Sequence, residues 1–295
     1  MASLKRQKRF LLIKVFALLS IIRWLNIGLT LCAQYLAAVF VLNPTKNYSE
    51  ILSNPKLHLM TLASAFIIAA GYILNSFYDL EKDLVNRPNK TLFGRVVSRS
   101  FCLNCYFAFN TLGLILAFSA SWRIFIFFLG FVIGLWAYSH KFQKIPVFRE
   151  IMASILSVTS FFSIGIFYKY LTMPLFIYGC FAMLIIFARE LVKDLEANKG
   201  NTIYGYNTMA TWLGKTKLIR GIMAVNFLSI VPLLLLLIWS KPIVLCTILI
   251  SITLILNCLI YLKLYVSETD RHVRGIHNFY KIYLVVLIGL VVLVQ

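Results

Sequence analysis

HLMTLASAFIIAAGYILNSFYDLEKDLVNRPNK, residues His58 to Lys90, changes character in its middle. From Leu59 to Tyr78 no side chain is charged; Asp79, Glu81, Lys82 and Asp83 then follow within five residues. A helix of about twenty such residues covers the roughly 30 Å of hydrocarbon in a bilayer. The first part therefore reads as a membrane span and the second as an acidic cap where the span meets water. In a helix, residues four apart lie about 6 Å apart along the axis and are rotated by roughly 40°. Asn75, Asp79 and Asp83 thus share one face, and Asn86-Arg87-Pro88 punctuates its end.

The same pattern governs the rest of the chain. Hydrophobic residues make up 61% of it and charged ones 13%, far from the balance of a soluble domain. Apolar runs at about 20–42, 58–78, 101–121, 123–140, 150–169, 173–192, 219–239, 243–264 and 277–294 predict an all-α, polytopic membrane bundle of about nine transmembrane helices. A single membrane domain over residues 1–295 is expected, and the basic N-terminus runs into a full span with no cleavage signal.

The formal charge of +19 would suit nucleic acid, but its placement excludes that partner. With the N-terminus in the cytoplasm, only Lys46, Lys56, Arg123, Lys169 and Lys241 of the 29 Lys and Arg fall outside. That asymmetry predicts a cytoplasmic N-terminus, with attraction to anionic lipid as a by-product. Cys102 and Cys105 form a C-x-x-C with no second pair or nearby histidine, which predicts packing rather than metal. The four histidines are read as interfacial, without a ligand role.

There are ten acidic residues, and six form two groups. Asp79, Glu81 and Asp83 close span 2; Glu190, Asp194 and Glu196 close span 6, so both groups are expected on the cytoplasmic face. A second ladder, Glu190, Asp194 and Asn198, ends at Lys199-Gly200-Asn201. Carboxylates at a helix C-terminus oppose the macrodipole and repel one another, so a positive partner is required. Two readings are open. Lys82, Arg87, Lys90, Arg189 and Lys193 neutralise the acids as a structural cluster, or Mg²⁺ binds the hard oxygen donors and the cations serve phosphate.

The first ladder resembles the first aspartate-rich motif of the UbiA superfamily of intramembrane prenyltransferases, N-x-x-x-D-x-x-x-D followed by N-[RK]-P. ARELVKDLEANKGNTIYGYNTMATWLG resembles that family's second region, with Arg189, Glu190, Lys193, Asp194, Gly200, Gly205, Thr208, Leu213 and Gly214 in register. Arg23 and Asn26 in span 1 and Tyr138-Ser139 closing span 4 are weaker echoes. The pattern is most similar to members that prenylate geranylgeranylglyceryl phosphate.

The resemblance implies a nine-helix bundle and Mg²⁺-dependent transfer of a prenyl group, geranylgeranyl in such members, from its diphosphate to a lipophilic acceptor in the membrane. Asn75, Asp79, Asp83, Asp194 and Asn201 become the candidate metal ligands, with Asp79, Asp83 and Asp194 catalytic. Arg87, Lys90, Lys141 and Lys193 become candidates for the diphosphate, and Arg23, Asn26 and Tyr138 for the prenyl chain or acceptor. An aromatic quinone precursor such as 4-hydroxybenzoate is the alternative acceptor.

The departures are specific. The second D-x-x-x-D falls on Ala197 and Asn201, and a lysine and an asparagine of the family pattern fall near Gln143 and Glu150. Lys141 or Lys144 is a substitute for the former. An impaired member that binds diphosphate without turnover is therefore a further alternative. A transporter is disfavoured because the acids sit at span ends rather than near the midplane.

Overall fold

The structure is a computed structural model that describes residues 14–43, 45–80, 84, 97–203, 208–266 and 269–294, with residues 198–203 and 270 by backbone alone. Every element among them is helical. The long helices are α1 (Trp24–Leu36, continuing as a π-helix over Ala37–Leu42), α2 (Pro55–Tyr78), α3 (Arg99–Ala120), α4 (Trp122–His140), α5 (Phe148–Phe167), α6 (Met173–Ile203), α7 (Lys215–Trp239), α8 (Ile243–Ile260) and α9 (Asp270–Leu290). Among the described residues nine segments are long and apolar enough to cross a membrane, one on each of these helices.

Three expectations are corrected. Arg23 is not inside a span: a helix over 14–21 breaks before it, its φ is +52°, and α1 starts at Trp24. Lys199-Gly200-Asn201 does not end α6, which runs on to Ile203. One helical glycine costs only about 1 kcal/mol against alanine, which a packed helix absorbs. The last helix starts at Asp270 rather than near 277, capped by Thr269 Oγ1 accepting from the His272 N–H at 3.3 Å.

The chain divides into two compact units. One comprises residues 1–31 and 56–140. Its α2 presents Ala63, Ser64, Ala69, Ala70 and Gly71 to the interior. In lipid, small residues let helix backbones approach closely, where dispersion replaces the hydrophobic drive. A Cβ on Gly113 of α3 would fall 2.6 Å from Ile67 Cγ1 of α2, so this close approach requires the glycine. Buried Cys102 and half-buried Cys105 pack with Ile21, Ile73, Leu80 and Val97, as their spacing led us to expect. Helices α3 and α4 expose Phe107, Phe118, Ile126 and Ile133, a surface suited to hydrocarbon.

The other unit comprises residues 32–55 and 141–295, and α6 packs in it against α5, α7 and α9. Polar side chains pin these helices where no water can. Asn226 Nδ2 donates to Asn257 Oδ1 at 2.9 Å, and Tyr280 Oη donates to Asn226 Oδ1 at 2.9 Å. Tyr178 Oη donates to the Leu287 carbonyl at 2.5 Å, anchoring the start of α6 on the end of α9. Gln34 Nε2 donates to the Ser160 carbonyl at 2.8 Å. In a bilayer each such contact contributes roughly 0.6–2 kcal/mol.

Candidate active site

In the first unit the site is the end of α2. The Asp79 N–H bonds the Asn75 carbonyl at 2.9 Å, so helical geometry extends through Asp79 and holds both side chains on one face. Ser139 Oγ, buried at the end of α4, donates to Asn75 Oδ1 at 2.5 Å. That bond fixes which way the amide points. Tyr78 Oη meets His140 Nδ1 at 3.2 Å, and the His140 ring stacks on Trp136. The two helix ends are therefore tied at adjacent positions, which holds Ser139 against Asn75.

The arrangement fits a hard divalent cation. A carbonyl oxygen oriented by a hydroxyl and a carboxylate one helical turn on are donors that Mg²⁺ takes, and the outer contact from Ser139 is of the kind that orients metal ligands. Asp83, Arg87 and Lys90 lie outside the described residues, as does the side chain of Asn201.

One turn before Asn75 on α2, Arg23 lies over the Tyr72 ring at 5.1 Å and Asn26 Nδ2 donates to Tyr72 Oη at 3.2 Å. The structure thus joins these two residues through a tyrosine that the motif reading missed. Tyr138 is half-buried beside Ser139.

In the second unit the acids of α6 are met by cations. Glu190 accepts from Lys193 Nζ at 2.7 Å and lies 3.6 Å from Arg189. The structural-cluster reading therefore holds for Glu190, and Lys193 faces a carboxylate here. Lys141 is exposed in the turn after α4. Asp194 is buried and ion-paired to Arg149, which also reaches Glu150 Oε1 at 2.7 Å through Nη2 and at 2.8 Å through Nε. Glu196 accepts from His277 Nδ1 at 2.5 Å, and the histidine is buried.

Arg149, Glu150 and His277 are thus partners of the α6 acids that sequence reasoning passed over. The sequence marks Glu150 only as a departure from an asparagine; an acid directly beside Arg149 was the available signal.

A bundle of long membrane helices with an oriented amide–carboxylate pair closing the second of them defines the class of intramembrane, metal-using enzymes. The model of the UbiA prenyltransferase family matches residues 35–282, and the chain belongs to that family. The digeranylgeranylglyceryl phosphate synthase of Pyrococcus horikoshii is 27% identical over 197 residues, 65% of this chain and 69% of the relative. The enzyme of the same name from Sulfolobus acidocaldarius is 27% identical over 179 residues, and the chain spans 64% of its length.

Among solved structures, one concerning digeranylgeranylglyceryl phosphate synthase aligns over 95% of this chain and 98% of its own, with a TM-score of 0.70 at 21% identity. A UbiA homologue from Archaeoglobus fulgidus bound to GPP and Mg²⁺ aligns over 94% of this chain and 99% of its own, with a TM-score of 0.68 at 16% identity. These likenesses show the fold. The expected nine-helix membrane prenyltransferase architecture is borne out, as is Mg²⁺ as the family's ion.

Proposed function

We propose that the chain transfers a geranylgeranyl group from its diphosphate to geranylgeranylglyceryl phosphate. The observation that carries this reading is the Asn75–Asp79 pair on one helix face, with the amide oxygen held by Ser139 Oγ at 2.5 Å. Family membership supports the reaction, and the two synthases named above support the acceptor.

In the reaction the allylic C–O bond breaks and pyrophosphate leaves with the electron pair. A hydroxyl oxygen of the acceptor bonds to the allylic carbon, forming an ether and releasing its proton. Asn75, Asp79 and Asp83 would hold Mg²⁺, which supplies Lewis-acid stabilisation of the leaving group. Arg87, Lys90 and Lys141 would bind diphosphate oxygens, preorganised charge that strengthens as water is excluded. Lys193 joins them on release from Glu190, and Asp194 and Asn201 complete the α6 side. Arg23, Asn26 and Tyr138 would line the prenyl chain or acceptor. The positive-inside asymmetry supports cytoplasmic placement of the N-terminus and of the acidic ends of α2 and α6.

The test is a radiolabelled transfer assay in purified membranes with geranylgeranyl diphosphate and Mg²⁺, offering geranylgeranylglyceryl phosphate and 4-hydroxybenzoate in parallel. Labelled ether product with the first acceptor alone is expected. Product only with the phenol would move the chain to the quinone branch, and Mg²⁺-dependent diphosphate binding without product would make it an impaired member. In the same assay, Ser139→Ala releases the Asn75 amide. It is expected to raise the Mg²⁺ concentration for half-maximal rate about 10–100-fold, with the rate recovered at saturating Mg²⁺.

A further inference from the structure

Five cations of the second unit have no part in the chemistry above. Lys217 and Arg220 stand in the first two turns of α7, and Arg271 and Arg274 in the first two turns of α9. Lys263 stands in the π-helix Tyr261–Val266 that continues α8, and all five side chains are exposed. Arg220 Nη2 donates to Tyr265 Oη at 2.9 Å, and His272 Nδ1 meets the Lys263 carbonyl at 3.1 Å. These contacts bring the three helix ends to one surface. Among the described residues none of the five has a carboxylate partner; Glu150, Glu190, Asp194 and Glu196 are held by Arg149, Arg189, Lys193 and His277. Counting Lys215, Glu268 and Asp270 as well, six Lys and Arg stand against two acids over residues 215–220 and 263–274. Cations in the first turns of a helix oppose the macrodipole and repel one another, so this surface calls for an anion from outside the chain.

Its surroundings say which anion. The π-helix exposes Leu262 and Val266 beside its lysine, and Tyr261 stacks on Tyr265 with ring centres 5.6 Å apart. A short helix, Met209–Leu213, packs on both α6 and α7 and leaves Trp212 67% exposed. Apolar side chains, then Tyr and Trp, then Lys and Arg is the order in which a helix passes from hydrocarbon through headgroups to water. A soluble acidic protein would match the cations alone. Resting on the transfer reading above, we propose that this surface binds the phosphate headgroups of lipids in the surrounding leaflet and so gathers the acceptor, itself a lipid with a phosphate monoester. Such a monoester carries about −1.5 to −2 at pH 7, more than a phosphodiester, which favours the acceptor over bulk anionic lipid. The surface serves capture rather than chemistry, raising the local concentration of acceptor at the end of α6 that carries the acids.

The experiment uses the full-length chain in nanodiscs. Native mass spectrometry counts the lipids kept from discs of phosphatidylcholine and phosphatidylglycerol in equal parts. The wild-type chain is expected to keep the anionic lipid at least about fivefold over the neutral one. Combined Lys217→Gln, Arg271→Gln and Arg274→Gln is expected to lose most of that preference. Combined Lys46→Gln, Lys169→Gln and Lys241→Gln removes the same charge elsewhere and is expected to keep it. Transfer is then measured in phosphatidylcholine discs with the acceptor varied. The first triple variant is expected to raise the acceptor KM at least about tenfold with kcat unchanged. Added phosphatidylglycerol is expected to raise the wild-type KM and leave that of the variant in place. The unchanged kcat reports a folded chain, and Lys217→Gln alone tests the same surface if the triple variant does not fold. Lipid preference or KM unmoved in the first triple variant would overturn the inference. Preference lost there, with no ether product from the wild-type chain, would sink the transfer reading and leave the headgroup surface standing.

Discussion

Asp79→Asn is expected to lower kcat/KM for prenyl transfer at least about 100-fold, near 3 kcal/mol of transition-state stabilisation, while leaving the folded state intact. The two effects separate because of where the residue sits. The carboxylate lies at the C-terminal end of α2, the wrong end of the macrodipole, and is half-buried. Asparagine keeps the size of the side chain and removes the charge that opposes the macrodipole, so the folded state is expected to survive in detergent. The loss falls on the rate because the oxygen donor opposite Asn75 on the same face is weakened. Transfer assays and melting curves on one preparation check both halves. Lost activity together with a large drop in melting temperature would assign Asp79 to the fold instead of the chemistry.

Arg149→Met should produce the reverse pattern. The arginine side chain is 11% exposed and is the cation shared by two carboxylates that are more deeply buried than itself. Removing one partner of such a cluster leaves uncompensated charge inside, at a cost of about 3–5 kcal/mol. The substitution is expected to lower resistance to thermal unfolding in detergent sharply. Adding Glu150→Gln and Asp194→Asn should restore most of it, because the charges that needed the arginine are then gone. A triple variant as unstable as Arg149→Met would show that the arginine acts by packing its stem.

The fold was legible because lipid imposes long helices, and hydropathy reports them within a few residues. It failed where a helix leaves the hydrocarbon. The start of α9, Asp270 to Ile276, carries Arg271 and Arg274 and no apolar run, so only the Thr269 cap announces it. Gly200 looked like a stop and is crossed without a break. The ladder on α2 was legible since its members are four apart on one element. Asp194 was found by motif, but its partner lies 45 residues earlier in the chain, and Ser139 lies 64 after Asn75. No spacing rule connects such pairs, since tertiary packing alone decides them.

The 31 residues of α6 span about 46 Å, half as long again as the hydrocarbon layer, with no break in the helix between the tyrosine fastened to α9 and the acids beyond. The stretch from Tyr178 to Asp194 is therefore a ruler. A residue inserted within it would advance the acids by about 1.5 Å and swing them about 100° around the axis, away from Arg149. The turns after Leu42 and after Phe167 carry no such phase and can take up added length. Across descendants of this chain, gaps should collect in those turns, while the number of residues between the anchoring phenol and the buried carboxylate stays constant.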